Sequence, residues 1–417
     1  MTSSETATAA GLRRLLQSRM VGRDREEEHR VSTPLELLFD LCFVVSVSEA
    51  AAALHESLAV GHIRHAILGY LSVFFAIWWA WVNFTWFASA YDTDDIPYRL
   101  LTFAQMAGVL VLASGVRAAF DGNFQVVTVG YIIMRIALTA QWLRAAAGDR
   151  DGRRTALRYA VAVTVIQIGW IVRLVLPASW GWPTFFTFAV LEMLVPYWAE
   201  HTTRSTPWHP EHIAERYGLF YIIVLGECIL SAFNAIHASL SVDGILAKPM
   251  LVAGGGLVIM FGLWWSYFKL DAEHMLRSHP QLAFAWGYGH YVLFASIAAL
   301  GAGIAVAAQS LGRSLTAGEF ALSERGAALA VGIPVASALL LMARLRVLAH
   351  DGNRVADAVG YSVAALTVLT GLAANAIGLT AAVVTTAALV VVKVTVGIVT
   401  TRDTQSDEEV LAKVWPD

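Results

Sequence analysis

The chain has 417 residues, 57% hydrophobic and only 15% charged, with a mean hydropathy of +0.59. A soluble domain carries roughly 25% charged residues, so this composition excludes an ordinary soluble globule. A formal charge of −3 excludes the basic face that nucleic acid requires, and two cysteines, Cys42 and Cys228, exclude a disulfide scaffold.

The first 31 residues are polar and charged and lack the basic–apolar–small pattern of a cleavable signal peptide. Within them Leu12, Leu15, Leu16 and Met20 share a helical face beside Arg13, Arg14 and Arg19, which fits either a short surface helix or a plain tail. After them, apolar stretches of about 20 residues, the length that crosses a bilayer, recur along the chain. Helices satisfy their own backbone in lipid, so the predicted fold class is all-α, a polytopic transmembrane helix bundle. Six spans are predicted at 35–56, 64–87, 99–118, 125–146, 156–177 and 184–200, inside a first repeat over 32–200. A linker at 201–213 leads to a second repeat over 214–400, with spans at 214–237, 247–269, 282–308, 325–347, 354–374 and 378–400. Residues 401–417 form a tail.

Order and spacing match between the halves. Trp78-Trp79 answers Trp264-Trp265, and Gln105 answers His290, at separations of 27 and 26 residues. Six spans is an even number, so the repeats are expected to be parallel, a 6+6 duplication. The six tryptophans Trp78, Trp79, Trp81, Trp86, Trp264 and Trp265 are expected at membrane edges, as interfacial anchors. Arginine is dense before the first span and around Arg144–Arg158, and sparser in the alternate loops. By the positive-inside rule both termini are expected in the cytoplasm.

Acids inside the spans carry the functional expectation, because a carboxylate in hydrocarbon is costly. Glu36 and Asp40 stand at i and i+4 on one face of the first span, while Glu49 lies half a turn round and near its far end. Glu36 and Asp40 also suit a helix start, where carboxylates complement the dipole. In the second half Glu215 and the deeper Glu227 repeat the device. Arg135 and Glu192 sit mid-span, and a buried pair between Arg135 and Glu49, Glu192 or Glu227 would explain how such charges survive. With Gln105 and His290 these residues form the expected ion, proton or substrate path. His209, His212 and Glu215, each three apart, have donor types suited to a divalent metal, or else make a polar helix entry. Asp92, Asp94 and Asp95, balanced only by Arg99, read as an acidic mouth for cations or as a solvated turn. No Walker loop, haem motif or nucleophile elbow occurs in a suitable context, and the sequence fixes no cofactor, substrate or oligomeric state.

The run Pro34–Val44 (PLELLFDLCFV) resembles the opening signature of the bacterial low-temperature-requirement A (LtrA) family. Asn83–Asp95, Tyr98–Leu112, Glu215–Phe220, Leu225–Glu227 and Gly287–Tyr291 resemble its other strong blocks. The resemblance implies a polytopic membrane protein named for growth at low temperature, and brings no reaction or substrate with it. A fainter similarity, to the two-repeat endolysosomal potassium-channel family, rests on architecture and on the step Phe39-Asp40. That step lacks the channel motif's intervening serine, and no acid follows Phe220.

Three function classes stand. The first is a transporter or channel for a small cation or proton-coupled solute. The second is a membrane-embedded enzyme or cofactor carrier using His209, His212, Glu215 and His290. The third is a membrane-structural protein whose acids lock helices together.

Overall fold

Helices form where the apolar runs lie. The computed structural model describes residues 18–25, 27–240, 247–312, 322–348 and 354–414; the face expected at Leu12, Leu15 and Leu16 lies outside them. Among the described residues the chain is 85% helical and has no strand. The long helices are α1 Pro34–Ala59, α2 Ile63–Tyr91 and α3 Ile96–Ser114, then, after a short α4 Val116–Phe120, α5 Gln125–Gly148, α6 Arg153–Arg173 and α7 Gly181–Glu200. There follow α8 Pro210–Leu240, α9 Ala247–Phe268, a short α10 Ala272–Ser278, α11 Ala283–Gly312, α12 Glu324–Leu348, α13 Arg354–Leu372, a one-turn α14 Ala374–Ile377 and α15 Leu379–Val414.

Every span expected from the sequence corresponds to a helix. Eleven stretches of the described residues are long and apolar enough to cross a membrane. The expected span at 184–200 is a helix, α7, but is not among the eleven; Glu192, Pro196 and its Trp and Tyr residues dilute its hydropathy. The expected span at 99–118 breaks at Gly115 into α3 and α4. There a Cβ would meet the Val127 amide at 2.8 Å, so the break lets α5 begin close by. The short gap expected between the spans at 354–374 and 378–400 ends in a turn at Gly378, whose φ of +85° favours glycine.

The described residues up to Ala50 with Ser72–Tyr217 make one compact unit, and Ala51–Leu71 with those from Gly218 onward make another. In the first, α3 packs on α5, α5 on α6 and α6 on α7. The α3–α5 crossing is made by two glycines. A Cβ on Gly130 would lie 2.6 Å from the Gly108 carbonyl oxygen and from the Leu112 amide, and one on Gly108 would lie 2.8 Å from the Gly130 carbonyl. Small residues let backbones approach where lipid gives no hydrophobic drive to associate. In the second unit α11 packs on α12, α12 on α13, and α15 on both α9 and α13. There the α11 backbone meets that of α12 at Gly303 and Ala330.

Gly130→Val is therefore expected to lower stability by about 1–3 kcal/mol through overpacking, read as a lower unfolding midpoint by tryptophan fluorescence in detergent. Gly254→Ala, where nothing lies within 4 Å of the added carbon, is the control and should leave the midpoint in place. Equal midpoints for the two variants would contradict the close crossing.

Candidate functional site, a buried acid–base cluster

The site grows from the starts of two helices in the first unit. At the start of α1, Glu36 Oε2 accepts from the Thr33 amide at 2.8 Å and from its hydroxyl at 3.0 Å, while the Glu36 amide donates to Thr33 Oγ1 at 3.3 Å. This reciprocal cap fixes where the helix begins and leaves Oε1 facing away. Asp40 stands one turn further on the same face. The start of α8 repeats the spacing with cations, as His212 and Arg216 also lie one turn apart.

These two ladders meet. Glu36 Oε1 lies 3.0 Å from His212 Nε2 and 3.2 Å from Arg216 Nη1. Arg216 Nε donates to Asp40 Oδ2 at 3.0 Å, and its Nη2 donates to Oδ1, making a two-pronged pair. The Trp81 indole N–H donates to Asp40 Oδ1 at 2.7 Å, and Arg216 also reaches Thr85 Oγ1 at 3.4 Å. Glu36, His212 and Arg216 are 0% exposed and Asp40 1%. Charges this dry persist only when paired and hydrogen-bonded.

A second tier borders the ladder. Arg30, 5% exposed, donates to the Ala88 carbonyl at 2.8 Å. Burial, then the nearby Arg23, pulls it below the ordinary arginine range. Asp92, just past α2, is 8% exposed and feels both Glu36 and Arg30. Burial, and next the Glu36 charge, push its carboxyl up to about 6. The buried Tyr98 hydroxyl lies in the field of Asp92, Glu36, Arg216 and Arg30, and has no protein hydrogen-bond partner. The cluster thus holds three carboxylates, two guanidiniums and one imidazole. One proton, on His212 or on an acid, brings it to neutrality.

The remaining expected site residues lie apart from this cluster. The expected metal trio does not converge, and among the described residues no group of three such side chains is set to hold a metal. His209 Nε2 lies 2.9 Å from the Glu27 carbonyl oxygen, His212 faces Glu36, and Glu215 accepts from the Ser32 amide at 2.6 Å and its hydroxyl at 3.0 Å. Nor do the three aspartates form an open mouth. Asp94 pairs with Arg99 at 2.7 Å on the surface and Asp92 is buried. Asp95 caps α3 through the Tyr98 amide and pairs with Arg144 at 2.6 Å. Burial works against charge on Asp95, but Arg144 and the Tyr98 and Ser18 amides hold it below the usual carboxylate range.

Glu49, further along α1, pairs with a half-exposed Arg117 at 2.8 Å. Gln105 donates to Gln141 Oε1 at 2.8 Å, a local polar link between α3 and α5. Arg135 and Glu192 form their own pair at 3.0 Å, 4% and 2% exposed by side chain, to which the Trp79 indole adds a donor at 2.9 Å. In the second unit His290 is fully buried between the Trp286 carbonyl at 2.7 Å and the Tyr267 hydroxyl at 3.1 Å. Glu227 is half-buried, its stem packed at Gly301.

Interfacial anchoring does not describe Trp78, Trp79 and Trp81, which are at most 2% exposed. Trp79 and Trp81 are donors to buried acids, whereas Trp264 and Trp265 are exposed. The members of the cluster not expected at a site from sequence are Arg216, Arg30, Tyr98 and Trp81, the last read there as an interfacial anchor. The readable signal for Arg216 was its four-residue distance from His212, which copies that from Glu36 to Asp40.

The family model described as bacterial low temperature requirement A protein (LtrA) matches residues 31–396. The chain belongs to that family. It is also 28% identical over 295 residues to an uncharacterised protein of Rhizobium meliloti (strain 1021), covering 66% of this chain and 69% of that one. The match to the LtrA family spans both ladders, from Glu36 on α1 to Arg216 on α8.

Asp92 sets a pH dependence. Its folded-state value of about 6 lies above the ordinary 3.8, so the folded protein holds this proton while the unfolded chain has lost it. That stabilisation is complete below the ordinary value and is lost as pH rises towards the folded one, a change of up to about 3 kcal/mol. Relative to Asp92→Asn, the native protein should therefore lose stability between about pH 4 and 6, measured as paired melting midpoints. A constant offset across that window would contradict the assignment.

Proposed function

We propose that this LtrA-family protein is a transporter or channel for a small cation or proton-coupled solute, and that the Glu36–Asp40–His212–Arg216 cluster with Asp92 takes up and releases the proton. One observation carries the reading, the count of buried charges. Three carboxylates face two guanidiniums among residues at most 8% exposed, so charge balance there requires a titrating proton. Perturbed ionisable groups gathered in one place are the usual mark of a functional site, and intramembrane acids are the usual elements of proton relays.

The geometry favours exchange at one end of the cluster. Asp92 lies in the loop between α2 and α3, outside the membrane-spanning stretches, while Asp40 is a turn inside α1. A proton entering at Asp92 has Tyr98, Glu36 and His212 as successive polar groups. We also place both termini and this Asp92 loop on the cytoplasmic side of a bacterial cytoplasmic membrane, on the strength of the arginine-rich loops.

The test is flux. Liposomes carrying the purified protein and a pH-reporting dye, with the potential clamped by potassium and valinomycin, should move protons faster than empty ones when sodium, ammonium or another small solute is supplied. His212→Gln should remove most of that excess, by about 100-fold as for other lost proton-transfer groups, with an unchanged size-exclusion profile. Flux equal to that of empty liposomes for every solute, or undiminished in both His212→Gln and Asp92→Asn, would contradict the reading.

A further inference from the structure

A recess in the first unit opens where α5 begins and α6 ends, with about 440 Å³ of space between its lining atoms, mouth included. Its walls are the rings of Phe75, Trp79, Phe124, Tyr131, Trp170 and Phe185, with Ala76, Val127 and Thr128 between them, and two charged groups also line it. Glu192 is 1% exposed; its Oε2 is taken by Trp79 and Arg135, and its Oε1 has no protein partner. A buried acceptor left unmet is costly, so Oε1 calls for a donor. Pro196, inside α7, also removes the amide that would have bonded the Glu192 carbonyl.

Arg173 is the other group. It donates to the Gly181 carbonyl at 3.0 Å and lies over the rings of Phe124, Trp170 and Phe185 at 4.8, 5.8 and 5.6 Å. Among the described residues no carboxylate pairs with it. Arg135 and Glu192 cancel, so the recess carries one uncompensated positive charge. Gly181, which Arg173 holds, stands eleven residues before Glu192. Eleven residues of helix rise about 16 Å, and the Glu192 side chain, tilted toward the helix start, shortens that span.

We propose that this recess binds a small aromatic hydroxy-carboxylate, its carboxylate on Arg173, its ring between the aromatic walls and its hydroxyl donating to Glu192 Oε1. The class follows from the chemistry present: flat aromatic walls, one surplus cation, and one unmet acceptor at the far end. A monoanion restores neutrality, and offset aromatic contacts reward a ring. An apolar, aromatic lining with a few placed polar groups is the usual form of small-molecule sites. The assignment is independent of the proton reading, since its readout is binding rather than flux.

Calorimetric titration of the full chain in detergent with para-hydroxyphenylpropionate should give saturable binding at one site. Phenylpropionate, lacking the donor, and the methyl ester of the hydroxy acid, lacking the charge, should each bind about tenfold more weakly, the effect of one hydrogen bond to a charged group. Arg173→Gln should weaken the acid about tenfold and leave the ester unchanged. Ala76→Leu narrows the recess without touching either charge and should abolish binding of all three probes. No saturable binding of the hydroxy acid, equal weakening of acid and ester by Arg173→Gln, or retained binding in Ala76→Leu would each overturn the proposal.

Discussion

The first unit depends on a pairing of two helix starts, in which a carboxylate ladder on α1 meets a cation ladder on α8 at the same one-turn spacing. Neither ladder is stable alone in a dry interior, where an unpaired charge costs several kcal/mol. Together Glu36 and Asp40 enclose Arg216 on two levels, with His212 closing the upper one. The pairing brings the first of the long helices against one that begins 176 residues later, as measured from Asp40 to Arg216. Local sequence forces therefore set the ladders, and their complementarity sets the long-range contact. The reciprocal cap from Thr33 matters for the same reason, since it determines which Glu36 oxygen is left for α8.

Around that contact the unit is assembled with the same economy. Arg135 and Glu192 tie α5 to α7, and Trp79 donates to Glu192 from α2, so the buried charge of each helix is met by another helix. Gly108 and Gly130 bring α3 and α5 to backbone contact, which holds Gln105 against Gln141. Trp81 ties α2 to Asp40, and Asp95 caps α3 while pairing with Arg144. Indole donors are well suited to this work: they bring a large apolar surface with a single N–H, so burying them satisfies an acid without adding charge.

Fold class was legible because hydropathy reports a span of helix directly, and the breaks at Gly115 and Gly378 were visible only as small residues whose role depends on neighbours. The four-residue step from Glu36 to Asp40 was also plain in the sequence, since helical periodicity is local. What it faces was not. Spacing places His209, His212 and Glu215 near one another along the chain, yet their side chains leave α8 and the segment before it toward Glu27, Glu36 and Ser32, three different partners. Asp92, Asp94 and Asp95 are near neighbours in sequence and occupy three environments, because one follows a helix, one sits in the turn and one caps the next helix. The tryptophan pairs show the same limit: Trp78-Trp79 and Trp264-Trp265 are similar in sequence, but the first pair is buried and the second exposed.

The buried cluster holds one carboxylate more than its two guanidiniums balance. A paired cluster with equal numbers of fixed charges would be a lock; under the proposed function the carboxylate in excess is the group that titrates. Infrared difference spectroscopy of the purified protein across mildly acidic pH reads this directly, through the carbonyl stretch of protonated carboxylic acids. The account predicts in that stretch a component that fades as pH rises through about 6 and is missing in Asp92→Asn. A spectrum without that component at any pH in the window, or one that Asp92→Asn leaves unaltered, would contradict it.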